Sequence, residues 1–548
     1  MKIRMISKML AYMLICTIVL GGASGCQNGG NTMKVISLTY PSDTVTTIEK
    51  LNLDEGEYIR KGRGAASYVG NGDKTYPTLV LSPYYSLTVN GEEVPVYATV
   101  VYVGSESECA LHSFAMIDAD IPENSSIKVN LRALRYPLKQ AIVRPESLGL
   151  TPTVDGDTVS ATITAHGDYT FLMNDEDSDI SQYNAFTLFV REYRDEEKEI
   201  RTYQEQYGEK NVHVWEPGTY EIDYINVENS NQVYYFKRGA LLIARGNPDY
   251  DEDNSYTEDG AADNNGWGLE RYPIFNAYKK FNIVIAGQGT IDAGQLGWHE
   301  RRGVLFSSCS ECTVTGLTLL NMPEWSMITY CGTDIKISDV AVFGYKTNSD
   351  GIAICNTINA TVNDCYARSG DDLFEVKTLG GSSDAISRNI TFNNCIAWGS
   401  KARCFGITGE TNKDISQVVF RNSAVIFSDA TWNNNILGSL VIISGTGNTL
   451  IDDILFENIE IYQNAGRPIN LFIESEEAKR TKITNVLFRN ITYSGGIPSR
   501  VNTRSQGNNL IEVCFENVVG NGVKWTNENI AGFLEQDEQS TVTFAGKV

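Results

Sequence analysis

Histidine is scarce in this chain, with four in 548 residues at positions 112, 166, 213 and 299. Acid–base chemistry built on imidazole has little to draw on. Cysteine is present (eleven residues) but follows no regular disulfide framework. Most of the cysteines lie inside apolar, strand-like runs such as NDCYARS and NNCIAWG. CSEC (309–312) is a lone CxxC with no second pair and no nearby histidine, which argues for a buried thiol or a local disulfide rather than zinc. Positive charge is in deficit. The 45 Lys and Arg against 68 Asp and Glu leave a formal charge of −23 and a pI of about 4.7. Nucleic acid and anionic membrane surfaces are poor partners for such a chain, and a polyanionic substrate is mildly disfavoured.

Long apolar runs are also missing, apart from MLAYMLICTIVL at 9–20. Its 12 residues are too few to span a bilayer and suit the apolar core of a secretory signal, with Lys2, Arg4 and Lys8 as the basic lead. GGASGC resembles a bacterial lipobox, which implies cleavage and lipidation at Cys26, although Ala23 stands where leucine is usual. Residues 1–26 are then a signal peptide and 27–33 a flexible tether. Loss of Lys2, Arg4 and Lys8 takes the mature charge from −23 to −26. The expected location is the bacterial cell surface or the periplasm-facing membrane, with contact to lipid through the anchor only.

What the chain has in abundance is β-type text. From 34 to 195 it runs in short strands broken by turns, and VNGEEV places Asn-Gly between alternating apolar residues, a strong hairpin signal. This predicts a β-sandwich. The charged stretch REYRDEEKEIRTYQEQYGEK follows as a connector with a short helix. From 196 to 548, and clearly from about 211, one unit recurs: an apolar strand, a polar turn residue, a second strand. Aligned on the turn, the units give Gly316, Asp339, Asp364, Asn394, Asn422, Asn458, Asn490 and Asn517, with gaps of 23 to 36 residues. Self-similarity at such a variable period predicts a right-handed parallel β-helix, in which the Asn side chains form an internal ladder at the corners. Leucine-rich repeats are excluded by the missing Leu/Asn spacing. The acidic stretch 247–268 lacks the sixth-position glycine and closing glutamate of a calcium loop and reads as a solvated insertion.

Two turns carry carboxylates one coil apart: TNSDGIAI with Asp350, and RSGDDLFEVK with Asp371 and Asp372. Stacked coils would bring the three together. Neighbouring residues in a regular strand face opposite ways, so the pair can share a cleft only if the chain bends at Gly370. Crowded carboxylates raise the pKa of at least one, which suits glycoside hydrolysis: one protonated acid, with ionised partners to activate water. Turn solvation and calcium binding are the alternatives for such a cluster.

The run NMPEWSMITYCGTDIKISDVAVFGYKTNSDGIAI followed by ARSGDDLFEVK, with GQGTIDAGQLGWHE before it, resembles the β-helical glycoside hydrolases of families twenty-eight and forty-nine. These are the polygalacturonase and dextranase group, and a leading β-sandwich is the dextranase/isopullulanase layout. The resemblance implies an inverting hydrolase without a cofactor or metal, in which Asp371 is the general acid and Asp350 and Asp372 activate water. It also implies a substrate-binding set, for which Lys377, Lys401, Arg403, Arg467, Trp325 and Trp398 are the candidates, with Lys377 also placed to buffer the carboxylate cluster and Trp298 and Trp432 as further aromatic platforms. Phe405 replaces the histidine of the pectin-cleaving relatives, and Asn470 stands in place of the lysine of their Arg-Ile-Lys motif. With the acidic charge, these departures favour a neutral α-glucan. A polygalacturonase-like pectin hydrolase, a β-helical polysaccharide lyase and a glycan-binding protein are the alternatives.

The lipobox is tested directly. The wild-type chain is expected in the detergent phase of a phase partition, and Cys26→Ser in the aqueous phase. A wild-type protein that is already aqueous contradicts the anchor.

Overall fold

The computed structural model describes residues 33–41, 45, 79–103, 109–174, 185–246, 273–297, 299–380, 384–399, 401–429, 431 and 433–545. The leader with Cys26, the acidic stretch 247–268, Trp298 and Trp432 lie outside the described residues. No helix among the described residues is long and apolar enough to cross a membrane.

Two sheets form the sandwich. One runs Leu79–Leu81, Tyr97–Tyr102, Cys109–Ala119, Phe186–Glu192, Gly167–Met173, Ala141–Arg144, with Val35–Ser37 on Cys109–Ala119. The other runs Glu92–Val94, Tyr85–Val89, Ile127–Ala133, Thr158–Ile163, Thr153–Asp155. The hairpin turns at Asn90 and Gly91, both left-handed (φ 53° and 90°), as Asn-Gly favours. Ile127–Ala133 alternates buried and exposed, as a strand with one wet face should. Tyr97–Tyr102 is buried at every position because its sheet is covered twice, by its sandwich partner and by the β-helix.

A helix, Glu196–Tyr207, links the two parts. Asp195 caps it by accepting from the Lys198 amide, and Glu196, Glu197 and Glu199 lie against the positive end of its dipole. The β-helix follows from Val212 to Phe544, with one wall of twenty strands and another of eleven. Parallel pairing places like residues over like. Phe392, Phe420, Phe456 and Phe488 form a continuous internal stack with ring centroids 4.9, 4.9 and 4.6 Å apart.

The Asn and Asp corner residues adopt left-handed backbone, from φ 50° at Asn422 to 55° at Asp339, Asp364 and Asn517, and Gly316 does so at 85°. Asn and Asp tolerate this conformation best among residues with a Cβ. Asn458, Asn490 and Asn517 each donate Nδ2 to the Oδ1 of the residue one coil below, at 2.9 Å. The ladder is exposed on the outside of the corner and not internal as its sequence suggests, because a left-handed turn residue aims its side chain away from the core. A second ladder, Asn389 to Asn359 to Asp334, had no recognisable spacing in the sequence. Among the described cysteines, Cys309, Cys312, Cys355, Cys365, Cys395 and Cys404 are buried free thiols.

The sandwich and β-helix share one apolar core. Phe114 stacks on Phe343 at 5.2 Å, and Phe189 meets Tyr366 edge-on at 5.4 Å. Trp398 belongs here and is no sugar platform. It is 1% exposed and lies under the Arg368 guanidinium at 3.7 Å. Arg368 in turn contacts His112 Nδ1 at 2.6 Å, and burial, then the Arg368 charge, hold that imidazole well below its ordinary pKa and neutral.

The ladder gives a stability test. Asn458→Ala loses both ladder bonds, to Asn422 and from Asn490, and places a Cβ in left-handed backbone without the Asn side chain's local support, for about 1–3 kcal/mol. Asn458→Gly loses only the two bonds. Chemical denaturation is expected to rank wild type, then Gly, then Ala. Ala equal to or above Gly would mean that the left-handed turn is not what the position selects for.

Candidate active site

Two successive coils build the site by main-chain register. The Ser326 amide donates to Asp350 O at 2.9 Å, and the Gly351 amide to Asp372 O at 2.7 Å. Wall strand Ile352–Cys355 then pairs with Phe374–Thr378, residue 352 opposite 374. Asp350 therefore stands directly over Asp372. Close approach requires Gly370, where an added Cβ would lie 1.9 Å from Lys346 O. The Gly370 amide donates to Ser349 Oγ at 3.0 Å, and Ser349 Oγ donates to Lys346 O at 2.6 Å, which locks the two turns together. Gly370 and Asp371 form a bend outside any strand, so Asp371 escapes the strict alternation that would turn it away from Asp372.

The three aspartates differ in surroundings. Asp372 is 2% exposed. It accepts from the Arg403 amide at 3.0 Å and from Arg403 Nη1 at 2.6 Å. Burial pushes its carboxyl up, but Arg403 and Lys377 outweigh burial and hold it below the ordinary carboxylate value. Asp350 is 3% exposed, with Lys377 Nζ 3.2 Å from Oδ2. Burial raises it well above the ordinary value against the pull of Lys377, and the charges of Glu375, Asp371 and Asp372 add to the rise. Asp371 is half-buried, and its Oδ1 accepts from the Asp372 amide at 3.0 Å. Burial, then the Asp372 charge, push it up to about 6. One carboxylate is held ionised, and a more accessible one holds its proton into the mildly acidic range.

A fourth carboxylate, Glu375, was not singled out from the sequence, where it reads as an ordinary strand residue. It is fully buried, accepts from Thr408 Oγ1 at 2.5 Å through Oε2, and has no hydrogen-bond partner at Oε1. Burial pushes it up to about 7, although Lys377 opposes the rise. One oxygen each of Asp350, Asp372 and Glu375 lies within 4.8 Å of the others, a spacing that would suit a metal ion. A lysine ammonium lies against two of the three: Lys377 Nζ is 3.2 Å from Asp350, 3.0 Å from Glu375 and 3.5 Å from Glu410.

The expected substrate-binding residues divide accordingly. Lys377 is 3% exposed, donates to Asp350 and pairs with Glu375 and Glu410, so its charge is taken up by the cluster. Arg403 holds Asp372 and donates Nε to Ile436 O at 2.8 Å. Trp325 borders the site, but it is 8% exposed with Lys377 Nζ 4.2 Å from its ring centroid, a wall and not an open platform. Arg467, two wall strands further along, braces loops by donating to Asn434 O and Pro498 O and pairing with Glu535. Lys401 stays at the mouth. It is half-buried, donates to Thr347 Oγ1 at 2.8 Å, and its charge reaches Asp371. Arg500, unnoticed in the sequence, lies beyond it over Phe472 at 4.1 Å and contacts Asn435 Oδ1 at 2.7 Å. Phe405 points into the core, stacked on Phe374 at 5.0 Å. On the next coil the outward residues are the buried, apolar Val441 and Ile443. A polar groove of about 550 Å³ between Tyr193 and Asp339, where the sandwich meets the corner ladder, contains none of these carboxylates.

Residues 273–545 match the family model described as glycosyl hydrolases family 28. A polygalacturonase of Arabidopsis thaliana is 23% identical over 287 residues, covering 47% of this chain and 59% of the relative. A probable exopolygalacturonase B of Aspergillus flavus is 24% identical over 292 residues, covering 48% and 62%. The chain thus spans about three-fifths of the length of these curated relatives. Among solved structures, Dex49A from Penicillium minioluteum superposes with a TM-score of 0.54 over 87% of this chain and 96% of that one at 12% identity, a likeness of fold.

The Arg403–Asp372 pair makes a stability prediction. Arg403→Met strands a buried carboxylate, which typically costs about 3–5 kcal/mol. Asp372 is held low when folded, so the pair stabilises above the unfolded-state carboxylate pKa and its contribution is lost as pH falls through the folded value. The deficit of Arg403→Met in denaturant midpoints is expected to be large at pH 7 and to shrink towards pH 3.5. A deficit independent of pH would contradict the assignment.

Proposed function

We propose that this chain, which belongs to the β-helical glycoside hydrolases of the polygalacturonase and dextranase group, is an inverting hydrolase of an α-linked, pectin-type polysaccharide. The observation that carries the reading is the inequality of the stacked carboxylates. Asp371, half-buried and raised to about 6, is placed to protonate the leaving oxygen. Asp372, held ionised by Arg403, accepts the proton of the attacking water with Asp350 beside it. The bond to the leaving oxygen breaks as water oxygen bonds to the anomeric carbon from the opposite face, which inverts its configuration. His112, the most buried of the described histidines, serves the interface core and takes no part.

The neutral α-glucan expected from the sequence gives way to the pectin-type substrate. The matched family and the curated relatives favour the latter. Lys401, half-buried with its charge reaching Asp371, supplies a cation near the acid in place of a contiguous Arg-Ile-Lys motif, while Arg500 further along is buried and held by Asn435 and Asn470. One observation keeps a neutral glycan as the second reading. The outward face of the wall strand next to Phe405 is closed by the buried, apolar Val441 and Ile443 and offers no cation for a gripped carboxylate.

A panel of polygalacturonate, dextran and pullulan, with product sizing and NMR of the nascent anomer, tests both readings. Release from polygalacturonate with inversion is expected. Release from dextran or pullulan alone would transfer the assignment to the second reading, and retention would overturn the mechanism. Asp371→Asn is expected to lower kcat by about 10²–10⁴-fold on the natural glycan and by much less on a substrate with an activated leaving group. Equal losses on both would remove Asp371 from the acid role.

A further inference from the structure

Two groups inside the carboxylate cluster, Glu375 and Lys377, have no part in the reaction as described so far. Both project outward from wall strand Phe374–Thr378, one and two turns of the alternation after the aspartate pair, and both are buried. Glu375 receives Thr408 Oγ1 from the next coil and stands 3.0 Å from Lys377 Nζ, whose other contacts are Asp350 on the preceding coil and Glu410 on the next. The groups that face this pair are Asp350, Cys355 and Trp325 from preceding coils, Asp371 and Asp372 from its own, and Arg403, Thr408 and Glu410 from the following one. Three points no more than 4.8 Å apart can always be reached from one centre within about 2.8 Å, an ordinary hydrogen-bond length. The triangle of Asp350, Asp372 and Glu375 is therefore the size of a single water site.

Charge decides how that triangle behaves. Asp350, Asp371, Asp372 and Glu375 would carry four negative charges against two positive ones, on Lys377 and Arg403, in a largely dry space with Glu410 at its more exposed edge. Arg403 lies directly against Asp372 and its charge also reaches Asp371, so Asp350 and Glu375, with the aspartate pair beside them, are left to Lys377. They cannot all ionise, and the number of protons they hold depends on where the ammonium sits.

We propose that Glu375 and Lys377 are positioning residues of the water-activating centre: Glu375 and Glu410 fix the Lys377 ammonium against Asp350, and the ammonium sets how many protons the Asp350–Asp372–Glu375 triangle holds. The proposal rests on the hydrolase reading. It follows that the two side chains act on the same ionisation in opposite directions. Lys377 favours the charged form of the water-activating carboxylates, and Glu375 opposes it.

Profiles of kcat/KM against pH from 3.5 to 8 test this on the full chain. The acidic limb reports ionisation of the base, which must be deprotonated to work. Lys377→Met removes the cation, so the base keeps its proton to higher pH and the limb moves up. At pH 4.5 the variant is expected to lose about tenfold more activity than at pH 6.5. Glu375→Gln keeps the shape, removes a negative neighbour and moves the limb down. Shifts of opposite sign support the proposal. A limb unmoved in both variants, with only KM raised in Lys377→Met, makes Lys377 a substrate ligand and overturns it.

Carboxyl titration by NMR in protein labelled at Asp and Glu separates this from failure of the hydrolase reading, because it needs no turnover. In wild type one buried Glu resonance is expected to titrate near neutral pH and to vanish in Glu375→Gln. Titration of that resonance in the ordinary carboxylate range overturns the proposal, whatever glycan the protein cleaves.

Discussion

Parallel stacking of coils at one strand spacing is the constraint on which the rest depends. Main-chain bonds fix residue over residue, so a polar side chain at a corner acquires a fixed neighbour about 4.8 Å away. At most corners that neighbour is an Asn, and the result is a neutral ladder such as Asn458 on Asn422. At the turns that carry the site it is a carboxylate over a carboxylate, Asp350 over Asp372, and like charges are forced together by the same bonds that hold the fold.

That forced proximity explains why the cations of the site face inward. Arg403 and Lys377 sit where a polysaccharide subsite would be sought, yet each is occupied by a buried acid. An ionised carboxylate in a dry setting is costly without a partner, and an arginine that binds it through both main chain and side chain keeps it ionised. Asp371 lacks such a direct cation, and burial with the Asp372 charge beside it raises its carboxyl, so it retains its proton longer. Between Asp371 and Asp372 the division of roles comes from the cation that the next coil sets directly against one and not the other, whereas at Asp350 burial outweighs the Lys377 ammonium beside it.

The sandwich contributes differently. Its doubly covered sheet and the outer face of the β-helix bury one set of aromatics, Phe114, Phe189, Phe343, Tyr366 and Trp398. The Tyr102 amide donates to Gly344 O, and Gly344 begins the turn that carries Asp350. The sandwich therefore supports the catalytic turns from behind. Arg368, buried in that core with a neutral imidazole and an indole face as its partners, shows that the two parts fold around a shared charge and not merely beside each other.

Sequence alone determined the periodic features: the strand–turn–strand unit, the Asn corners, the Asn90-Gly91 hairpin, and the one-coil separation of Asp350 from the Asp pair. These are local or repeat with the chain, and so they leave a pattern in it. What only the tertiary structure decided is how each side chain is used. Trp398 reads the same in sequence whether it faces a sugar or a second domain, and a sheet covered on both faces presents the same apolar run either way. Arg403 looks like a ligand-binding cation until stacking places Asp372 against it. Glu375 has no spacing to betray it, because its partners Thr408 and Asp350 come from the coils on either side. Whether a charge meets solvent, a ligand or another charge depends on contacts between coils tens of residues apart, and a residue's own neighbours in the chain do not encode them.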